Sequence, residues 1–498
     1  MLGIVFDTHE DRGQCIGEGE KNDLADFYEV VYQIPVIARI FAADIIAPPC
    51  LLGTIFRTRE GLCGNVGKSL STLNSLISPL NYSLLTTNYS LIKKFSAFRF
   101  PFSVFICIFE GLNNLKIIDT MDISLVKKAF ADHFEGTCGV YASPGRINLI
   151  GEHTDYNGGF VFPGAVDCGI VAAILPNGLD KVRAYSIDMD ELAEFGLNEE
   201  DAPQQGWAKY IFGVCREMAK LGVEVKGFDC AFAGDVPLGA GMSSSAALES
   251  TFAFALNELF AEGKIDKFAL AKVGQMTEHH YVGVNCGIMD QFASVFGKKG
   301  NLMRLDCRSM EFEYFPFDPQ GYKLLLVNSV VKHELVDSPY NKRRESCERV
   351  AKTLGVETLR DAEFEDLERV KGEISEEDYK RAKYVIGEKQ RVLDVCEALV
   401  KGDYETVGAR MYQTHWGMSK DYEVSCEELD FLATLAEECG VTGSRIMGGG
   451  FGGCTINLVK DELYDNFVAT AKQKFAEKYG HEPKIYDVVI SDGARRLE

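Results

Sequence analysis

The chain has 498 residues, of which 46% are hydrophobic and 25% charged, and its formal net charge is −22. This length is enough for two or three domains with cores of their own, and the composition is that of an ordinary globular protein. The acidic balance argues against a nucleic-acid partner, because binding phosphates needs clustered lysine and arginine.

Residues 1–120 differ from the rest of the chain. They show weak periodicity, a proline pair at 48–49, and an apolar run at 100–109 that is too short to span a bilayer. From Met121 the pattern becomes that of an amphipathic helix, with Asp122 as its N-cap. We therefore predict that residues 1–120 are an atypical leader, disordered or mis-assigned, and that Met121 is the true or dominant start.

The run PGRINLIGEHTDYNGGFVFP, at 144–163, is the most informative segment. Alternating apolar residues after Arg146 predict a short, half-buried strand. It leads into a polar turn in which Gly158 and Gly159 can take positive φ. Between the predicted strand and these glycines, four polar side chains follow the one arginine and suit a small polyhydroxyl ligand: Glu152, His153, Asp155 and Asn157. A solvated loop that satisfies its own hydrogen bonds is the alternative for this segment taken alone.

A glycine- and serine-rich loop, LGAGMSSSAA at 238–247, follows a predicted strand at 228–237 and precedes a predicted helix that reaches Phe260. Glycine lets the backbone approach an anion closely, and the helix N-terminus adds a favourable dipole. Its three serine hydroxyls add donors, and one of them can ligate a metal. The pattern predicts a phosphate-binding loop without the lysine of a Walker A motif; a plain turn with a serine N-cap is the alternative.

Two carboxylates, Glu278 and Asp290, lie twelve residues apart in the next segment. Asp290 is predicted to lie on a glycine turn that starts at Gly287, where apolar surroundings raise a carboxylate's pKa and a nearby arginine lowers it. Such a group can accept a proton from a hydroxyl or orient that hydroxyl. Glu278 suits Mg²⁺, which prefers oxygen ligands. Carboxylates on surface helices are common, but together with the serine loop the pair favours phosphoryl transfer.

A second glycine-rich segment, GSRIMGGGFGG at 443–453, precedes a predicted apolar strand, CTINLV. Such glycine density lets the backbone come close to a ligand or to another loop.

A connecting segment rich in proline and glycine at 315–321 predicts a domain boundary near Gly321.

In this order and at these separations, the four segments resemble those of the galactokinases, a family within the GHMP superfamily of small-molecule kinases. The likeness runs from about Met121 to the end of the chain. It implies an α+β fold of two domains. A mixed-sheet N-terminal domain would span 121–320, and a ferredoxin-like C-terminal domain would span 321–498.

The resemblance also implies an activity. A galactokinase transfers a phosphoryl group from ATP to the anomeric hydroxyl of D-galactose, giving galactose 1-phosphate, the first committed step of galactose breakdown. ATP is then the co-substrate and Mg²⁺ the cofactor. We expect a cytoplasmic monomer with neither a nucleic-acid nor a membrane partner, and the fifteen cysteines, without any C-x-x-C pair, are predicted to be reduced thiols.

Roles for individual residues follow from the resemblance alone. Asp290 matches the family's catalytic aspartate, and Arg146 the arginine that steadies the transition state beside it. The residues implied to bind the sugar are Glu152, His153, Thr154, Asp155, Gly287 and Tyr340, the last in an N-S-x-x-x-H-x-L-x-x-S-x-Y signature. Those implied to bind the nucleotide are Ser186, Gly239, Ala240, Gly241, Met242, Ser243, Ser244 and Ser245. Ser245 and Glu278 are implied to hold Mg²⁺.

Other functions remain open at this stage. Kinases for N-acetylgalactosamine typically carry isoleucine and cysteine where this chain has Thr154 and Asn157, which favours plain galactose. Arabinose and galacturonate kinases stay possible, whereas mevalonate-type kinases lack the HTDYN run. A non-catalytic sugar sensor on the same fold is the candidate from another class. The intact serines at 243–245 and the presence of Asp290 favour catalysis over sensing.

Overall fold

The computed structural model describes residues 123–237, 239–331 and 339–498. The predictions for residues 1–120, for the start at Met121 and for the cap at Asp122 lie outside these ranges. So does the central part of the signature that precedes Tyr340, residues 332–338.

Helices and strands alternate along the described residues, as a mixed α and β chain requires. The helices are α1 (Ile123–His133), α2 (Gly206–Lys220), α3 (Ser244–Ala261), α4 (Lys267–Thr277), α5 (Met289–Phe296), α6 (Pro339–Leu354), α7 (Phe364–Arg369), α8 (Glu376–Val400), α9 (Tyr404–Lys420), α10 (Glu427–Glu438) and α11 (Asp461–Tyr479). The strands are β1 (Gly139–Asn148), β2 (Phe160–Val161), β3 (Pro163–Pro176), β4 (Lys181–Ser186), β5 (Glu191–Gly196), β6 (Phe228–Gly234), β7 (Asn301–Asp306), β8 (Phe312–Pro316), β9 (Tyr322–Asn328), β10 (Gly443–Ile446), β11 (Cys454–Lys460), β12 (Lys484–Asp487) and β13 (Arg495–Arg496).

The first sheet has six strands in the order β13-β1-β3-β6-β4-β5, and it is mixed because β4 and β6 run parallel. β1 lies inside this sheet, with α1 packed on one face and α3 and α5 on the other. The prediction of a half-buried strand is therefore wrong: every residue of β1 after Gly139 is buried. Helices cover both faces, so the alternation in sequence does not mark a solvent-facing side.

The second sheet has four antiparallel strands in the order β10-β11-β9-β12. Along the chain its elements read as strand, helices, two strands, helix and strand, which is the βαββαβ pattern of a ferredoxin-like fold. The helices α6 to α10 form the first crossover, and α11 forms the second. The expected two-domain α+β kinase architecture is confirmed.

A third, smaller sheet pairs β2 with β7 and β7 with β8. A core of buried residues from β1, β9, β11 and α8 joins the first two sheets. The loops that carry the sequence motifs lie around this junction. Within the described residues, no helix combines the length and apolar character needed to cross a membrane. The cysteines in the same ranges form no disulfide with one another.

Candidate active site

The HTDYN loop, residues 151–159, follows β1 and is tied down by its own side chains. The Thr154 hydroxyl lies 2.9 Å from the Gly151 carbonyl oxygen and 2.6 Å from that of Phe160. Gly158 uses the freedom of glycine, with φ 64°, whereas Gly159 does not have a positive φ. That glycine is needed because a Cβ atom there would lie 2.8 Å from the Thr154 Cβ.

Glu152 is a buried carboxylate that joins the HTDYN loop to the glycine loop, residues 447–453. Its Oε1 accepts hydrogen bonds from Arg445 Nη1 at 3.0 Å and from the Gly448 backbone N–H at 2.8 Å. Arg445 is completely buried and also donates to the carbonyls of Leu149 and Asn148. Sequence reasoning missed Arg445, although it lies inside a segment that was singled out.

His153 is held by protein atoms at both ring nitrogens. Its Nε2 lies 3.2 Å from the Gly449 carbonyl and its Nδ1 lies 2.7 Å from the Tyr156 hydroxyl. Since a carbonyl oxygen only accepts, Nε2 carries the proton and Nδ1 accepts from Tyr156. Burial lowers the pKa of His153 to about 3. The ring is therefore neutral at physiological pH and acts as a fixed link between the two loops.

Arg146, Ser243 and Asp290 form the centre of the site. The Arg146 guanidinium donates to both carboxylate oxygens of Asp290, each at 2.8 Å, and the Ser243 hydroxyl donates to Asp290 at 2.5 Å. Arg146 Nη1 also donates to the Gly241 carbonyl. The Arg146 side chain is 5% exposed and that of Asp290 is 30% exposed. The arginine is thus a buried support, and the carboxylate keeps a face open to a ligand.

Asp290 lies in the first turn of α5 rather than on a glycine turn, so that prediction is corrected. The helix begins at Met289, two residues after Gly287, and Gly287 lies against Asp155. A Cβ atom at Gly287 would lie 1.8 Å from Asp155 Oδ2. Burial, and then the neighbouring Asp290, raise the pKa of Asp155 to about 7.

Tyr340, in the first turn of α6, faces the HTDYN loop. Its ring centroid lies 5.3 Å from that of His153 and 5.7 Å from that of Tyr156. Burial, followed by the charge of Asp155, raises the pKa of Tyr340 well above its usual value. Tyr340 therefore stays a neutral phenol beside this loop.

The serine loop, residues 239–245, turns from β6 into α3. Gly239, Gly241 and Ser243 all have positive φ, and the Ser243 side chain makes no capping bond to the helix. The first N–H groups of the 18-residue α3 therefore remain available to an anion. A Cβ atom at Gly241 would lie 3.1 Å from the Met447 carbonyl, so the serine and glycine loops meet backbone to backbone, as predicted.

Glu278 and Ser245 lie side by side at the helix end of the serine loop. Burial raises the pKa of the Glu278 carboxyl to about 7, although the neighbouring Ser245 hydroxyl lowers it. Within the described residues, no group of three or more histidine, cysteine, aspartate or glutamate side chains could hold a metal alone. One carboxylate and one hydroxyl fit Mg²⁺, provided that phosphate oxygens of a nucleotide complete its coordination.

The described hydrogen bonds do not connect the Ser186 side chain to these loops. It ends β4, in register with Phe232 of β6, and it is 2% exposed. Because β4 and β6 are parallel, Ser186 lies at the edge of the sheet from which the chain leaves toward the serine loop.

A glycine- and serine-rich loop between a mixed sheet and a helix, next to a ferredoxin-like sheet, defines a small-molecule kinase of the GHMP superfamily. Models described as GHMP kinases N terminal domain and GHMP kinases C terminal match residues 209–298 and 396–477. A mevalonate kinase structure shares the fold, with a TM-score of 0.52 at 18% identity over 71% of this chain and 99% of that one.

Relatives of higher sequence identity show which family within this superfamily the chain resembles. The model described as galactokinase galactose-binding signature matches residues 128–176. The galactokinase of Clostridium acetobutylicum is 40% identical over 395 residues, covering 77% of this chain and 100% of the relative. That of Thermotoga petrophila is 41% identical over 71% of this chain and 99% of the relative. Lactococcus lactis galactokinase complexed with galactose aligns with a TM-score of 0.71 at 33% identity, over 75% and 99% of the two chains. The chain belongs to the galactokinase family.

Proposed function

We propose that this chain transfers the γ-phosphoryl group of ATP to the anomeric hydroxyl of D-galactose, giving galactose 1-phosphate and ADP. The observation that carries the proposal is the cluster in which Asp290 is held by Arg146 and by Ser243 of the serine loop. It places an oriented carboxylate between a phosphate-binding loop and the HTDYN loop.

The proposed step needs little covalent chemistry from the protein. The anomeric oxygen forms a bond to the γ-phosphorus while the bond to the bridging oxygen of ADP breaks, and the hydroxyl proton leaves the sugar. Asp290 accepts that proton or orients the hydroxyl, and its position is compatible with both roles. Arg146, which also bonds the Gly241 carbonyl, places a fixed positive charge where charge develops on the phosphoryl oxygens.

In the proposed complex the HTDYN loop binds the sugar. Asp155 of this loop lies against Gly287, and the Tyr340 ring packs near His153. Glu152 Oε2 accepts no hydrogen bond from the described residues, since only Oε1 is used by Arg445 and Gly448. We assign that oxygen to a sugar hydroxyl. His153 and Thr154 shape the loop through the contacts given above, and Ser186 is assigned to the nucleotide.

Galactose-dependent release of ADP by the full chain, with ATP and Mg²⁺ present, is the direct test. The panel is galactose, N-acetylgalactosamine, galacturonate, arabinose and glucose, and we expect strong release with galactose. Release with another sugar would keep the mechanism and change the substrate. A folded protein that binds galactose but releases no ADP would support the sugar-sensor function instead.

We propose that Ser245 and Glu278 hold Mg²⁺ together with phosphate oxygens of ATP. Bound there, the ion would neutralise charge on the transferring phosphoryl group. Glu278→Gln should raise the Mg²⁺ concentration needed for half-maximal activity by at least about tenfold, because a neutral amide is a poorer ligand than a carboxylate. The measurement is a Mg²⁺ titration of initial rates at fixed ATP. An unchanged Mg²⁺ requirement would remove Glu278 from the metal site.

Gly287→Ala should raise the KM for galactose by at least about tenfold. The new methyl group would lie 1.8 Å from Asp155 Oδ2 and must displace that side chain from the sugar site. Gly372→Ala is the matched control, since nothing lies within 4 Å of a Cβ atom at that position. Both variants are assayed for KM with galactose and with ATP. A normal galactose KM in Gly287→Ala would contradict the proposed position of the sugar.

We further propose that residues 121–320 and 321–498 are the two domains.

We also propose that the enzyme works as a cytoplasmic monomer on small molecules, without a nucleic-acid or membrane partner. The net charge of −22 and the free thiols support this view. Light scattering of the purified chain tests the oligomeric state.

A further inference from the structure

Two arginine–aspartate pairs connect the turn after β7 with the short 3₁₀ turn Leu359–Asp361. Arg360 donates from Nη1 and Nη2 to the two oxygens of Asp306, at 2.9 and 2.8 Å. Arg308 donates in the same way to Asp361, at 2.7 Å for both bonds. Each side of the contact contributes one acid and one base. The arrangement is therefore a reciprocal, doubly bidentate ion-pair cluster, which we call the latch.

The latch holds the far end of the HTDYN loop. Arg360 Nη1 also donates to the Gly158 carbonyl at 2.7 Å, and its guanidinium lies 4.0 Å from the centre of the Phe160 ring. On the other side of the loop, the Cys307 backbone N–H donates to the Gly159 carbonyl at 2.9 Å. Contacts from both turns of the latch thus fix the backbone of Gly158 and Gly159.

The end of the loop is coupled to Asp155. The Gly158 N–H donates to the Asp155 carbonyl at 3.1 Å and closes the 3₁₀ turn Asp155–Asn157. This bond links the backbone of Gly158 to that of Asp155, whose carboxylate lies against Gly287. The opposite end of the loop is anchored separately, by the bond from the Gly151 N–H to Glu388.

The Asp306–Arg360 pair is more protected than an ordinary surface ion pair. Its side chains are 20% and 18% exposed. Burial alone would raise the pKa of Asp306, but the hydrogen bonds from Arg360 and from two backbone N–H groups outweigh it and lower that pKa. Isolated exposed pairs contribute little to stability, whereas bidentate pairs within a network add geometric specificity.

We infer that the latch is a positioning device: by holding Gly158, the Asp306–Arg360 pair places Asp155 for the sugar and so sets the affinity for galactose. This inference rests on the proposed function. The paired residues themselves touch neither the Arg146–Asp290 cluster nor the serine loop through any described hydrogen bond. They should therefore affect sugar binding and leave the phosphoryl-transfer step unchanged.

The test is a double-mutant cycle with Asp306→Asn, Arg360→Gln and the double variant in the full chain. Each single variant should raise the KM for galactose by about tenfold and keep kcat and the KM for ATP within about twofold of wild type. The double variant should be no worse than either single one, because the two changes remove the same interaction. Arg410→Gln is the matched control, since its pair with Asp394 joins α8 to α9 at similar exposure, 33% and 27%.

A purely structural role would lower the Tm of the variants and leave the KM for galactose unchanged, which would overturn the inference. Effects that add in the double variant would overturn the pairing. The dissociation constant of galactose, measured by calorimetry for the wild type and the variants, tests the same effect on sugar affinity without catalysis. A wild-type chain that binds galactose but does not phosphorylate it would reject the proposed function alone. An active wild type with unchanged variants would reject the latch alone, and a wild type that does not bind galactose would reject both.

Discussion

Asp290→Asn should lower kcat by about two to four orders of magnitude while galactose still binds. The amide keeps the size of the side chain and one oxygen that accepts from Arg146, so the loops around it should stay in place. It removes the charge and the basicity with which the carboxylate accepts or orients the sugar hydroxyl. Single-turnover kinetics and galactose calorimetry on the same preparation measure the two properties separately.

The chain offers a close control for this substitution. Asp378 is also bound by an arginine and a serine: Arg349 donates to both of its oxygens, at 2.8 and 3.2 Å, and Ser346 donates to one of them. It lies in the first turn of α8, just as Asp290 lies in the first turn of α5. Asp378→Asn should change stability without lowering kcat. Near-normal turnover in Asp290→Asn would remove Asp290 from the mechanism.

The parts of the site that could be predicted are those in which the chemistry is contiguous in sequence. The serine loop is one case, because glycines with positive φ, three hydroxyls and a helix start follow each other within a few residues. The HTDYN loop is another, since its polar side chains crowd one turn. In such segments the residues that set the backbone conformation and the residues that could bind a ligand are neighbours in the chain. A single sequence is therefore enough to predict them.

Long-range pairings could not be predicted in this way. Glu152 and Arg445 are 293 residues apart, and Asp306 and Arg360 are 54 apart. Each is a common charged residue whose partner only the fold reveals. The burial of β1 was missed for a related reason: alternation shows that one face is apolar, but helices from elsewhere in the chain decide whether the other face meets water.

The placement of Asp290 shows the limit of local patterns. In sequence, Gly287 predicts a turn that carries the carboxylate, whereas the glycine is needed for contact with Asp155 and the helix begins two residues later. A glycine required by a distant side chain looks the same in sequence as one required by a turn. Only the folded chain separates the two cases, because it shows which atoms a Cβ atom at Gly287 would meet.

Arg445→Met should destabilise the protein by about 3–5 kcal/mol and should strongly reduce sugar phosphorylation. Arg445 is fully buried, and it donates to Glu152 and to the carbonyls of Leu149, Asn148 and Ile446. Methionine fills much of the volume but leaves the buried Glu152 carboxylate without its positive partner and several carbonyls without the arginine donor. Urea denaturation gives the stability, and kcat/KM for galactose gives the function.

A second substitution, at Glu152, decides whether the unpaired buried charge causes the loss of stability in Arg445→Met. If it does, Glu152→Gln in the Arg445→Met background should recover part of the lost stability, because it removes the unpaired carboxylate. It should not restore activity, since Glu152 is itself assigned to the sugar. Arg304→Met is the control, because its pair with Glu313 is 33% and 59% exposed and should contribute at most about 1 kcal/mol. A stability loss in Arg445→Met no larger than that of Arg304→Met would show that Glu152 is solvated. The HTDYN and glycine loops would then be joined by the backbone bond at Gly448 rather than by this ion pair.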